Sequence, residues 1–523
     1  MITNRYAFLS FSKLSGSSIT GLSMALFVLL SFSNNAFAQR TVEVAQGFDT
    51  LNMAINSDTT STGARVDSNT VYVLERDGIY LLNGSIENRF PLAIVAADGE
   101  GARPVLRPGN ADGGASSRPF RPRADLTLRG LYVTNEDELG GRNTRILRLS
   151  ADNIRISIED CHLDKDAQSA FRFDNDGISV FIKNSIISNI GRSASMNNGR
   201  GFDTRGNQID SLVIENSTFY NLTSRIVRSD VGGLINYHRF DHNTVVNTGQ
   251  FVSSPQEVLE MVWTNNNVIN GGYLGQTDSS NADRQMLQVD SLSVEGDQTI
   301  RISNNNFYTD PSLLAASGDS VRTLPLFSPT AQAYLDERGF GDTITEEAIM
   351  FANGPVTPLD VYTARWTVGN ENAEDDSIPD MSDDGAPFDF SYADTFTAFM
   401  GSRAGQPLGD LTWFEQEITP VAIDAFSDER PDSFELRGNY PNPFNPSTII
   451  QFDLPQAADV NIVVFDLLGR EAMRLSAGAL TAGTSHAVLL DASALSSGVY
   501  LYQVRAETAS QVLVETGRMI LMK

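Results

Sequence analysis

Apolar and polar positions in the middle of the chain fall into a six-residue pattern that returns six times. Ile158 to Leu163 (IEDCHL), Ile182 to Ile187 (IKNSII), Ile214 to Phe219 (IENSTF), Phe240 to Val245 (FDHNTV), Trp263 to Val268 (WTNNNV) and Ile302 to Phe307 (ISNNNF) align without gaps. Their first and sixth positions are apolar, and their third is Asp160, Asn184, Asn216, His242, Asn265 or Asn304. Successive segments start 24, 32, 26, 23 and 39 residues apart, and an earlier candidate begins at Leu128. Such self-similarity signals stacked units of one basic length, with insertions in the longer gaps. Apolar residues alternate before each segment, as at Ile154, Ile156 and Ile158, which is the pattern of a half-buried strand.

Short strands, polar turns and Asn at a fixed turn position predict an all-β chain whose main domain is a right-handed parallel β-helix. At each bend the third-position amide is expected to satisfy backbone groups left by the turn and to bond its equivalent in the next coil. The next column holds Cys161, Ser185, Ser217, Asn243, Asn266 and Asn305. Cys161 there reads as a small packed residue. Phe48, Leu51 and Ile55 recur at helical spacing, predicting a short helix over the open end of the stack.

The pattern changes at the C-terminal end. Asn439 to Thr448 (NYPNPFNPST) precedes Ile450, Phe452 and Leu454, then Val460 to Arg470 (VNIVVFDLLGR) and Ser497 to Tyr502 (SGVYLY). Four or five alternating strands between Gly, Pro and Asn turns predict a small immunoglobulin-like β-sandwich. Pro441, Pro443 and Pro446 are expected to form an extended lead-in that cannot join a central strand.

At the other end, Arg5 and Lys13, the apolar run Met24 to Phe32 and Ala36-Phe37-Ala38 read as a cleavable secretory signal. The organisation expected is therefore 1–38 signal peptide, 39–415 β-helix with its caps, 416–433 linker and 434–523 sandwich. The apolar run is too short for a membrane anchor, and no other stretch is long enough. The formal charge of −27 excludes a nucleic-acid partner, which needs a basic footprint. Cys161 is the sole cysteine, so no intramolecular disulfide forms and stability must come from backbone pairing and a continuous core.

No Ser-His-Asp order, phosphate loop or Cys/His metal cluster occurs, so any chemistry must use acids, Arg, Lys and Tyr. If the first hexad position faces in, Glu159, Lys183, Glu215, Asp241, Thr264 and Ser303 form an outward column. Two residues earlier run Ser157, Phe181, Val213, Arg239, Val262 and Arg301. Coils stack about 4.8 Å apart, which places Lys183 between two carboxylates. The outward apolar residues predict that a segment within residues 325–415 covers this face. Residues 370–385 hold seven acids, read as a solvated loop or a calcium-binding one.

Residues 434–523 resemble the type A sorting domain of type IX secretion cargo along nearly their whole length. That resemblance implies passage across the outer membrane with the secretion machinery as partner, ending at the cell surface or in the medium. Val71 to Pro108 resembles the opening coils of pectate-lyase-like and chondroitinase-B-like β-helix proteins, and residues 45–325 share that fold-level likeness. It implies an extracellular polysaccharide as partner. In a uronate lyase, Lys183 and Arg239 would take the proton and neutralise the carboxylate, with Glu215 and Asp241 holding Ca2+. Arg225 and Arg228, expected on a loop reaching the same face, and Arg200 and Arg205 would contact sugar. The competing reading is a non-catalytic surface or adhesin-like protein in which the β-helix is a stiff spacer.

Overall fold

The computed structural model describes residues 40–522 apart from 63, 111–117, 196–197, 230–231, 274–284, 294–297, 318–324, 340, 369–386, 415–433, 441, 455–457, 481–482 and 509–511. The expected signal peptide, the acid-rich loop 370–385 and the linker lie outside the described residues.

The first coils carry two strands each, and from Leu126 on the central coils carry three. One turn runs Arg155–Glu159, His162–Asp166 and Ser169–Phe173, and the next begins at Ile178–Lys183. Each strand pairs in parallel with its equivalent one coil away, giving three faces that run along the stack. This is the right-handed parallel β-helix expected. The twelve-residue strand Ser253–Thr264 belongs to two faces: its start pairs with Arg225–Arg228 and its remainder with Leu234–Asp241.

The interior is one apolar column. Ile158, Ile182, Ile214, Phe240, Trp263 and Ile302 lie inside it, and rings stack in register, Phe171 on Phe202 at 4.8 Å and Phe240 on Trp263 at 4.1 Å. Both ends are closed. Helix Thr50–Ser57 buries Leu51 and Ile55, whereas Phe48 sits in a two-residue strand and is largely exposed. Helix Pro329–Arg338, capped by Ser328 and ended by Gly339 at φ 68°, sets Ala331 and Leu335 into the core.

The Asn column has a different cause from the one expected. Asp160, Asn184, Asn216, His242, Asn265 and Asn304 all adopt φ between 46° and 58°, a left-handed conformation that Asn and Asp tolerate best. The coil-to-coil bonds are made by the next column. Ser217 N donates to Asn243 Oδ1 (3.0 Å), Asn243 N to Asn266 Oδ1 (2.9 Å) and Asn266 N to Asn305 Oδ1 (3.0 Å). A second ladder follows the second face, where Asn221, Asn247 and Asn270 each donate to the preceding Asn at 3.1–3.2 Å.

The strap over the stack lies on another face than expected. Ile349, Phe390, Tyr392, Ala398 and Leu408 pack on Tyr220, Val246 and Ile269, outward residues of the second face rather than the first. The reason is apolar area: register lines up Tyr220, Val246, Ile269 and Tyr308 there. Gly409 passes so close that a Cβ would meet Thr244 Oγ1 at 2.4 Å, and its φ is 91°.

The C-terminal unit is an antiparallel sandwich of a three-stranded and a four-stranded sheet, more strands than the sequence pattern suggested. Strand Glu435–Tyr440 precedes the proline-rich stretch, which therefore connects two strands rather than leading in. Phe444, Ile450, Phe452, Val460, Ile462 and Tyr502 form its core.

Candidate functional site

On the first face the expected columns form. Glu159 is level with Lys183, Lys183 with Glu215, Glu215 with Asp241, and Phe181 with Val213 and Val213 with Arg239. Lys183 is exposed. Arg239 is clamped, with Nε 2.6 Å from Glu215 Oε1 and Nη2 2.6 Å from Asp241 Oδ2. Burial opposes its charge, but Asp241 and Glu215 outweigh burial and raise its pKa further. Its role in this geometry is a fixed positive charge. Asp241 Oδ1 also accepts from Thr264 Oγ1 (2.6 Å) and Asn265 Nδ2 (2.8 Å). Glu215 and Asp241 thus share a guanidinium where a calcium ion would have to sit, and they do not fit a cation site. Among the described residues no group of three or more His, Cys, Asp and Glu gathers.

The second face holds a polar knot outside the strap. His162 Nε2 lies 2.7 Å from Ser188 Oγ, which donates to Asp164 Oδ1 at 2.7 Å, and Tyr132 donates to the same carboxylate. Ser188 is fully buried, so this trio ties coils together rather than offering a nucleophile.

The third face gathers the arginines. Inward residues Leu147, Phe171, Phe202 and Val227 anchor its strands. The same register sets Arg148 beside Arg172, Arg172 beside Asp203, Asp203 beside Arg228, and Arg200 beside Arg225. Phe120 extends the face by bridging to Leu147. Around that bridge stand Arg118 and Arg121, either side of Phe120, and on the next coil Arg145, left-handed at φ 72° just before strand Leu147–Leu149, and Arg148 within that strand, with Arg123 just beyond.

Among the described residues three carboxylates pair with some of these nine arginines at close range, and buried Asp166 acts on Arg145 from further off. Glu87 pairs with Arg121 (3.2 Å) and Arg123 (3.4 Å), and Asp174 with Arg148 and Arg172 (2.8 Å to the latter). Buried Asp203 holds Arg200 and Arg228 at 3.1 Å each. Arg225 donates to Gln250 Oε1 (2.9 Å) and lies 4.1 Å from the Phe251 ring centre. Burial lowers the pKa of Arg118 and of Arg145, and nearby arginines lower both further: Arg148, Arg121 and Arg172 act on Arg118, and Arg172, Arg118 and Arg148 on Arg145. The Nε atoms of Arg118 and Arg145 are buried without a hydrogen-bond partner. The scaffold holds repelling cations at coil spacing, an arrangement that an anion placed among them relieves.

Of the arginines expected to contact sugar, Arg200, Arg225 and Arg228 lie on this face, on strands rather than a loop. Arg205 is exposed in the turn after Arg200–Asp203. Lys183 and Arg239 lie on the first face, so these groups do not share a groove. The sequence reading missed Arg118, Arg121, Arg123, Arg145, Arg148 and Arg172, which fall before the segments with a clear third-position Asn. The signal available was the Arg at 118, 121, 123, 145 and 148, spaced by about one coil.

A family model described as "Secretion system C-terminal sorting domain" matches residues 439–515. The chain therefore carries a type IX sorting tail on a parallel β-helix and is exported to the cell surface or beyond. None of the curated proteins compared matches the chain. Among the described residues no helix is long and apolar enough to cross a membrane.

Proposed function

We propose that the exported β-helix binds acidic extracellular polysaccharide on its third face. One observation carries this reading: in a chain of formal charge −27, nine arginines gather on one face, and among the described residues only Glu87, Asp174 and Asp203 form ion pairs with them. Like charges so gathered cost stability unless a counter-charge occupies the face. Guanidinium forks match planar and tetrahedral anions, and lysine, which is nearly absent from the chain, does not. Extracellular anions that repeat along a stiff chain are acidic polysaccharides, and export puts the face where they are. The arrangement suits holding a chain; on the first face Lys183 is left as a candidate proton acceptor, with Arg239 as a fixed charge, only if turnover is found.

The test is affinity electrophoresis of the full mature chain through gels containing an acidic or a neutral polysaccharide. Retardation by the acidic polymer alone supports the reading. Equal mobility in both gels contradicts it and leaves the spacer role. An ultraviolet-absorbing unsaturated product from a polyuronate would add cleavage to binding.

A further inference from the structure

Two stretches of the sorting domain, Asn439 to Thr448 and Val460 to Arg470, do different things in the structure. The first holds the sandwich together. Phe444 is buried in its core, Phe444 N donates to Ile520 O (2.9 Å), and Met522 N donates to Phe444 O (2.9 Å). Asn442 donates from Nδ2 to Arg518 O (3.0 Å) and accepts from Ile520 N on Oδ1 (2.9 Å), so this stretch pins the last strand, Val512–Leu521.

The second stretch ends in a hairpin turn that does no such work. Strand Ala458–Phe465 runs into the turn and the chain returns as strand Glu471–Leu480. Asp466 locks the reversal: its Oδ1 accepts from Leu468 N (2.9 Å) and Arg470 N (3.0 Å), and its Oδ2 accepts from Arg470 Nε (2.7 Å). Gly469, at φ 76°, supplies the left-handed residue. On this fixed tip Leu467 is 70% and Leu468 78% exposed, and neither belongs to the sandwich core. Single exposed leucines are ordinary on a surface. Two adjacent ones, held in water by a turn that a side chain locks, mark a surface that a partner covers.

The chemistry of the tip favours a protein over a lipid surface. A segment that enters a membrane interface carries basic and aromatic neighbours. Here Asp466 and Glu471 flank the leucines, in a chain of formal charge −27. We infer that the turn from Asp466 to Arg470 is where the secretion machinery grips the sorting domain, with Leu467 and Leu468 entering an apolar pocket on one of its components. The inference concerns the export step and stands independently of the polysaccharide reading.

The experiment expresses the full chain in a bacterium with type IX secretion and measures periplasmic and exported protein by quantitative immunoblot. Leu467→Asn combined with Leu468→Asn should lower the exported fraction about fivefold or more, with the protein accumulating in the periplasm. Leu467→Met combined with Leu468→Met keeps two large apolar side chains and should export within about twofold of the parent. Val512→Asn combined with Val514→Asn removes exposed apolar groups from the last strand and should export like the parent. The asparagine variant at the tip should melt with the parent, because exposed substitutions barely change stability.

A second readout uses purified residues 39–523. The parent should bind outer-membrane vesicles of the secreting strain, and neither vesicles from a strain lacking the machinery nor protein-free liposomes of the same lipids. Normal export of the asparagine variant overturns the inference. So does a methionine variant retained as fully as the asparagine one, because the apolar tip would then not be what is read. Equal binding to liposomes assigns the tip to lipid, and a solution mass that halves on asparagine substitution assigns it to a second copy of the chain; either result overturns the inference.

Discussion

Arg148 and Arg172 are partners on adjacent coils, and both hold the same carboxylate, Asp174. Despite the opposing effect of burial, the Arg148 and Arg172 hydrogen bonds keep the Asp174 pKa below its ordinary value. One acid between two arginines lets two like charges sit side by side while leaving donors turned to solvent.

Asp174→Asn should therefore separate stability from binding. Removing the shared charge should lower the melting temperature, by an amount equivalent to about 1–3 kcal/mol. It should also strengthen acidic polysaccharide binding, because an internal competitor is gone. The Asp174 contribution is present above the ordinary carboxylate pKa and is lost as pH falls through its lower folded value. The melting difference between parent and variant should thus shrink below about pH 4. Unchanged stability together with weakened binding would contradict this role.

The first face offers a contrast within one column. Arg239→Ala leaves Glu215 and Asp241 facing each other without their shared cation and should destabilise by about 2–4 kcal/mol. Lys183→Ala, exposed one coil away, should stay within about 0.5 kcal/mol. Chemical denaturation of both variants checks the pair, and equal losses would contradict the ion network described.

Two buried acids set the opposite pH trend. Burial pushes Asp166 and Asp410 up to about 6, against their hydrogen bonds. Asp410 accepts from Thr218 Oγ1 (2.7 Å) and Thr412 N (2.9 Å), pinning the strap to the second face. Because the folded pKa lies above the unfolded one, the stabilisation from protonation is complete below the unfolded value and is lost as pH rises through about 6. Melting temperature should rise as pH falls from 7 to 5, and Asp410→Asn should flatten part of that rise. A melting temperature that falls over this interval would contradict the assignment.

How far the sequence carried the reading depended on what kind of signal each element left. The hexads made the first and second faces legible because Ile158, Cys161 and Leu163 and their equivalents repeat with inward periodicity. The register Lys183–Glu215–Asp241 followed from counting alone. Side-chain roles at the bend did not follow: Asn265 and Asn266 look alike in sequence, yet only the first is left-handed and only the second joins the ladder. The arginine face was half visible, through Arg200, Arg225 and Arg228. Arg118 and Arg145 lie 27 residues apart and meet only because one coil separates Phe120 from Leu147. The strap was expected within residues 325–415 but on the wrong face, because it finds its apolar surface on Tyr220, Val246 and Ile269, whose column is broken by Ser188 and Asp164 in earlier coils.

Those ladder positions make a mutational test. Asn266→Ala removes the acceptor for Asn243 N and the donor to Phe240 O (2.9 Å) in the buried interior, and should cost about 2–3 kcal/mol. Asn265→Gly keeps the left-handed bend and should cost less. Equal losses by denaturant titration would contradict the division of labour between the two columns.

Export makes its own prediction. Deleting residues 434–523 should leave the β-helix folded, because its core is separate from that of the sandwich. The truncated protein should remain in the periplasm, and its normal appearance outside the cell by fractionation would contradict the sorting role.

The most direct measurement of the central claim is the salt dependence of acidic polysaccharide binding, for the parent and for Arg118→Gln combined with Arg145→Gln. Binding through released counterions gives a linear fall of log affinity with log salt concentration, and each lost contact lowers the slope by about one. The account predicts a steep line for the parent and a line shallower by about two for the double variant. Two parallel lines, or a parent affinity indifferent to salt, would contradict the arginine face as the binding surface.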